Sequence, residues 1–257
     1  MSEKLTTRYD VLDRNAIERI GLTKEDLDII LKASLEMARQ EVSIDEGIEI
    51  IKYGKMLDPI YGEDGCAVCR PKNGGPATVY CEKGYYTGPV VMLSDVIDKC
   101  EESGGRLLGT IHTHAFGMLR LSEADLRIPS NERMDFAGLA VCIRRLEDYA
   151  QYGVALYETE KLPDPEDVWW GFAEKYALGM VIAYAYYVPS KRAIKELAEE
   201  KGISEEEARE ALSESAAESP EEVELIVPDP NRYTEFLEEV DRWIGKPFLR
   251  LFWYEKK

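Results

Sequence analysis

Between Thr23 and Glu41 apolar residues recur at helical spacing, with Leu27, Ile30, Leu31, Leu35 and Ala38 on one face. Thr23-Lys-Glu-Asp26 is an N-terminal cap pattern, so residues 24–41 are expected to form an amphipathic helix packed against a sheet. Beyond it Ile48-Glu-Ile-Ile-Lys-Tyr53 alternates and stops at Gly54, which predicts a strand. Cys66–Arg70 and Ala77–Cys81 are short strand candidates between the turn clusters Gly62–Gly65 and Asn73–Pro76. A loop is expected around Tyr85, Tyr86 and Gly88-Pro89. Leu93-Ser-Asp95 opens a second helix through Val96, Ile97 and Cys100, and Ser103-Gly-Gly105 ends it. The strand Arg106–Thr113 follows directly. Ser122 caps a third helix, and Phe136–Ile143 and Tyr152–Tyr157 read as two more strands. Residues 1–22 form a mixed lead-in with room for a short helix. Helices alternating with strands in this way predict an α/β fold.

Pro163-Asp-Pro165 marks a boundary, which divides the chain into residues 1–162 and 163–257. Past it, Trp169, Trp170 and Phe172 open an aromatic and then apolar stretch that reads as core. Residues 190–218 are charged and helical in period. A strand at Val223–Val227, a helix over 231–244 and an apolar Phe248–Tyr254 complete a mostly helical extension.

The net charge of −18 changes the picture of what this chain can bind. It argues against nucleic acid and against an anionic membrane as partners, since both repel an acidic protein at long range. The apolar run Ala177–Val188 is too short to span a bilayer and no secretory signal is evident, so a cytoplasmic location is expected. Only two glutamines, Gln40 and Gln151, stand among abundant Glu and Lys, a bias that high growth temperature favours. The five cysteines imply no disulfide framework. Cys66-Ala-Val-Cys69 with Cys81 reads as small apolar strand residues, with a disulfide or a second metal site as the alternatives.

The candidate chemistry sits at the end of the strand Arg106–Thr113. His112 and His114 are the only two histidines, and alternate strand residues project from one face. Asp125 follows Ser122 by three residues and can return a carboxylate to the same point from the first turn of a helix. Two imidazoles and one carboxylate leave one of zinc's four tetrahedral positions open, the arrangement of a catalytic site. A water held there is acidified toward neutral pH and becomes a nucleophile.

At His112-Thr-His114, Ala115–Leu121, Ser122-Glu-Ala-Asp125 the chain resembles the JAMM (MPN-plus) zinc metalloproteases over roughly residues 23–160. The resemblance implies a JAMM/MPN-like (cytidine deaminase-like) mixed β-sheet flanked by helices. It also implies that His112, His114 and Asp125 hold Zn2+, that Ser122 helps bind the oxyanion, and that a Glu upstream is the general base. Glu46, between the first helix and the next strand, occupies that place, with Glu49 and then Asp45 behind it. One departure is Ala115, where the ubiquitin-cleaving members usually carry Pro. The activity implied is that of a peptidase or isopeptidase acting on a ubiquitin-like or sulfur-carrier protein, with a homo-oligomer compatible. Two other readings stay open, a non-catalytic MPN-type scaffold and a metal-dependent hydrolase of small amides.

Overall fold

A computed structural model describes residues 4–54, 63–82, 93–132, 134–185, 191–217 and 221–256. The tyrosine-bearing loop expected around Tyr85 and Gly88-Pro89 lies outside them. In chain order the elements are β1 (Lys4–Leu12), α1 (Arg14–Ile20), α2 (Lys24–Ala38), α3 (Ile44–Tyr53), β2 (Gly65–Arg70), β3 (Thr78–Glu82), α4 (Leu93–Glu102) and β4 (Arg106–Thr113). They continue with α5 (Glu123–Glu132), β5 (Phe136–Arg145), β6 (Tyr149–Glu158), β7 (Ala177–Ala185), α6 (Lys191–Lys201), α7 (Glu205–Ala217), β8 (Glu221–Pro228), α8 (Tyr233–Trp243) and β9 (Leu249–Lys256).

Seven strands form one mixed sheet in the order β1-β9-β6-β5-β4-β2-β3, and β7 pairs with β8 in a second, two-stranded sheet. In the large sheet only β4 and β5 run parallel. A parallel pair needs a crossover, and α5 lies on it, beginning just past the end of β4. That connection returns Asp125 toward the histidine strand.

Strand alternation sends side chains to two faces. On one, Ile30, Leu35 and Ala38 of α2, with Ala16 and Ile17 of α1, pack on Leu108, Ile111, Val154 and Leu251. On the other, Leu139, Val141 and Ala155 meet Phe116, Phe172, Phe236 and Val240. Full burial of side chains of this size contributes about 1.5–3 kcal/mol each. Helix α4 covers Ala67 and Cys69 in a smaller cluster on the β2 side.

Several expectations are corrected. Ile48–Tyr53 is helical: Ser43 and Glu46 form a capping box at the start of α3, and Ile44, Gly47 and Ile48 face the core at helical spacing. Gly47 is where an added Cβ would stand 2.7 Å from the Phe116 ring, so its missing side chain is what lets that ring seat against α3. Residues 4–12 form a strand where only a lead-in was expected. The division at residue 162 has no counterpart in the packing, because β9 lies between β1 and β6 and the aromatic residues of 163–257 fill the same core. That stretch also carries three strands and is less helical than expected.

The cysteines pair, although no disulfide framework was expected. Cys66–Cys81 joins β2 to β3 and Cys69–Cys100 joins β2 to α4, while Cys142 is free and buried. Residues 66 and 69 belong to clusters on opposite faces of the sheet, so they bond to different partners and not to each other.

Candidate metal centre

His112 is the seventh residue of β4, and His114 follows immediately after its end. Their rings meet edge to face with centroids 4.8 Å apart, and the two Nε2 atoms are 3.1 Å from each other. Asp125 reaches both: Oδ1 is 3.0 Å from His112 Nε2 and Oδ2 is 3.2 Å from His114 Nε2. All three residues are buried, and their ligand atoms lie within 4.8 Å of one another. Tetrahedral zinc with ligands at roughly 2.0–2.1 Å separates neighbouring ligand atoms by about 3.3 Å, which these distances approach.

The donor set suits a metal chemically as well. Burial lowers the pKa of His114, against the pull of Asp125, which favours the neutral imidazole that ligation needs. Its Nδ1 lies 3.3 Å from the Met118 carbonyl, so a proton there leaves the Nε2 lone pair facing Asp125. Burial alone would raise Asp125, but the two imidazoles hold its carboxyl well below the ordinary carboxylate range. Ser122 positions that carboxylate. Its N–H donates to Asp125 Oδ2 at 2.6 Å, and its Oγ accepts from the Asp125 N–H at 3.2 Å, a reciprocal cap at the start of α5.

The turn after β4 is held from both sides. Phe116 has a positive φ of 54°, the one described non-glycine residue in that region, and its N–H donates to the Val42 carbonyl at 2.8 Å. From α8, the Tyr233 hydroxyl donates to the Gly117 carbonyl. The C-terminal part of the chain thus braces the loop that carries His114.

No family model, curated protein or solved structure matches this chain. The site therefore stands on its own geometry.

The three acids considered for the base are all engaged elsewhere. Glu46 accepts from the Ser43 N–H and hydroxyl, each at 2.8 Å, and pairs with Arg145 at 3.3 Å. Glu49 lies 3.7 Å from Lys52, and Asp45 takes Arg144 at 2.8 Å. The carboxyl beside the trio belongs to Glu63, two residues before β2, with Oε1 3.9 Å from His114 Nε2. Its Oε2 is shielded from solvent and has no hydrogen-bond partner. Burial, then Asp125, then Glu41 push its pKa well above the ordinary carboxylate value. A cation on the neighbouring ligands works in the opposite direction.

Thr113, between the histidines, points to the other face and anchors the Glu63 segment. Its N–H donates to the Asp64 carbonyl at 2.9 Å, and its Oγ1 accepts from the Asp64 N–H at 2.8 Å. Glu41 takes a hydrogen bond from Thr113, and burial pushes its carboxyl up to about 7. Glu63 and Glu41 are the acids that sequence reasoning missed. The available signal for Glu63 was its place just ahead of β2, whose first residue Gly65 pairs with His112.

Proposed function

We propose that this protein is a zinc-dependent peptidase or isopeptidase of the JAMM type, in which His112, His114 and Asp125 hold Zn2+ and Glu63, in place of Glu46, is the general base. The observation that carries the reading is a solvent-shielded carboxyl, one oxygen of which has no partner among the described residues, beside two imidazoles and a carboxylate already converged on one point. When bound, zinc polarises a carbonyl and brings the pKa of water down toward neutrality.

The protein's own groups supply the rest. Glu63 takes a proton from the attacking water and then passes it to the leaving amine, which restores its carboxylate. Ser122 Oγ already accepts the Asp125 N–H, so its own O–H is left to donate to the carbonyl oxygen as charge develops there. His114 stays oriented through Nδ1, and Asp125 through the cap with Ser122.

The substrate class proposed is a ubiquitin-like or sulfur-carrier protein joined through an amide at its tail. The test offers such a fusion to the purified chain with and without chelator. Cleavage should stop on chelation, return with zinc, vanish in Glu63→Gln and persist in Glu46→Gln. Chelator-resistant cleavage would reject the mechanism, and a chain that takes up no zinc would favour the scaffold reading.

A further inference from the structure

Arg120 lies between His114 and Ser122, and its guanidinium rests on aromatic rings from the C-terminal half of the chain. The guanidinium carbon is 5.4 Å from the Trp170 ring centre and 5.8 Å from that of Phe172. The Trp170 indole is itself fixed by donating to the Pro165 carbonyl at 3.2 Å. Phe172 is fully buried.

The charge on this arm has no matching anion. Arg70, Arg144, Arg145, Arg232 and Arg250, the other described arginines that are buried or half-buried, each meet a carboxylate within 3.3 Å. Arg120 has none among the described residues. Among the described residues its hydrogen bond runs from Nη1 to the Leu121 carbonyl at 3.3 Å, and its Nε is shielded from solvent without a partner there. In a chain with 50 acids and 32 bases, a partly buried cation that lacks an acid is out of pattern. Burial draws its pKa down to about 10, and the carboxylate whose field opposes this is Asp125, already committed to the two imidazoles. Arg120 stands six residues after His114 and two before Ser122, on the loop that joins the metal ligands.

A guanidinium held against two rings has less freedom to turn its fork, which suits bidentate binding of a carboxylate. We propose that Arg120 is the carboxylate-reading arm of this site, a subsite for a substrate carboxylate next to the scissile amide. The role rests on reading the trio as a hydrolytic centre. A monoanion fits better than a phosphate dianion, because Asp125 already acts on this arm as a negative charge. The carboxylate has two sources, a chain terminus or an acidic side chain, and the shared chemistry is the same.

The test uses the full chain, metal-free and zinc-loaded, with three probes: N-acetylglycylglycine for a terminal carboxylate, N-acetylaspartylamide for a side-chain one, and N-acetylglycylglycinamide for none. Binding is followed by calorimetry and by the guanidinium N–H resonance of Arg120, identified by its loss in Arg120→Lys. At least one carboxylate probe should shift that resonance saturably and bind about tenfold more tightly than the neutral amide. Which of the two does so identifies the source. Arg120→Gln should erase the preference, and Arg120→Lys should keep part of it. Equal binding of all three probes, a preference that survives Arg120→Gln, or an unmoved resonance would overturn the proposal. Zinc content, measured on the same samples, separates the two failures. A chain that takes no zinc yet reads carboxylates through Arg120 sinks the metal reading alone, and one that takes zinc without that preference sinks this one alone.

Discussion

Asp26 and Glu63 are both carboxyls withdrawn from water, and their surroundings could hardly differ more. Asp26 receives five donors: Arg70 twice, at 2.9 and 2.8 Å, and the Thr23 N–H, the Thr23 hydroxyl and the Ala77 N–H, each at 2.7 Å. Burial by itself raises its pKa, yet Arg70 and the other donors bring it well below the ordinary value. Glu63 has an imidazole 3.9 Å away and one oxygen with no partner among the described residues, and burial, aided by acidic neighbours, pushes its pKa up. The first ties α2 to the β2–β3 hairpin. The second keeps its capacity for a proton, at a cost in stability that a purely structural residue would not carry.

The contrast can be broken most sharply at Glu63. If it is the base, Glu63→Gln should lower the cleavage rate by about 10²–10⁴-fold while zinc content holds, and its urea midpoint at neutral pH should stay level or rise. A variant that keeps its rate and unfolds more easily would make Glu63 a second Asp26. At Asp26 the expectation reverses. Asp26→Ala leaves the Arg70 guanidinium without its carboxylate and should cost about 3–5 kcal/mol in denaturant titrations, with zinc uptake by the folded fraction unchanged.

The pH profile sharpens the same comparison. Glu41 has its folded pKa raised from 4.5 to about 7, so its contribution is fully present below 4.5 and is lost as the pH rises through 7. At about 1.36 kcal/mol for each pH unit this amounts to roughly 3 kcal/mol, and Glu41→Gln should flatten that part of the stability curve. Asp26 tilts the curve the other way: its folded value is depressed, so its contribution is present above 3.8 and is lost as the solution is acidified. The smallest expected effect is that of the metal. Zinc at a hundred times its Kd should raise the unfolding free energy by about 2.7 kcal/mol, and Asp125→Asn should remove most of the gain in a thermal melt.

Local signals carried the expectations that the structure matches. Arg106–Thr113 is the strand the sequence predicts, because an apolar run bounded by glycines and histidines leaves little choice. The cap at Thr23 and Asp26 starts α2 where the pattern places it, although α2 stops at Ala38. Ser43 and Glu46 offered the same type of signal, but the alternation of Ile48 to Tyr53 concealed it, since Ile48 belongs both to a period-2 row with Ile50 and to a helical row with Ile44. With residues 48–53 read as a strand, the acid was sought ahead of them at Glu46, whereas the strand that neighbours β4 is β2, with Glu63 just ahead of it. The link between Glu63 and His114 runs through strand pairing, as do β1 and β9, and pairing leaves no mark in nearby residues. Arg120 carried no local signal, because its aromatic shelf comes from fifty residues further along.

Strand β1 bonds to β9 alone within the sheet, with Lys4 opposite Lys256 and the Asp10–Arg250 pair spanning 240 residues. During synthesis at about 5–20 residues per second, its hydrogen-bonding groups therefore wait roughly ten to fifty seconds for the strand that satisfies them. This seam closes late, and until it does the nascent chain presents a ready template for pairing with a neighbour.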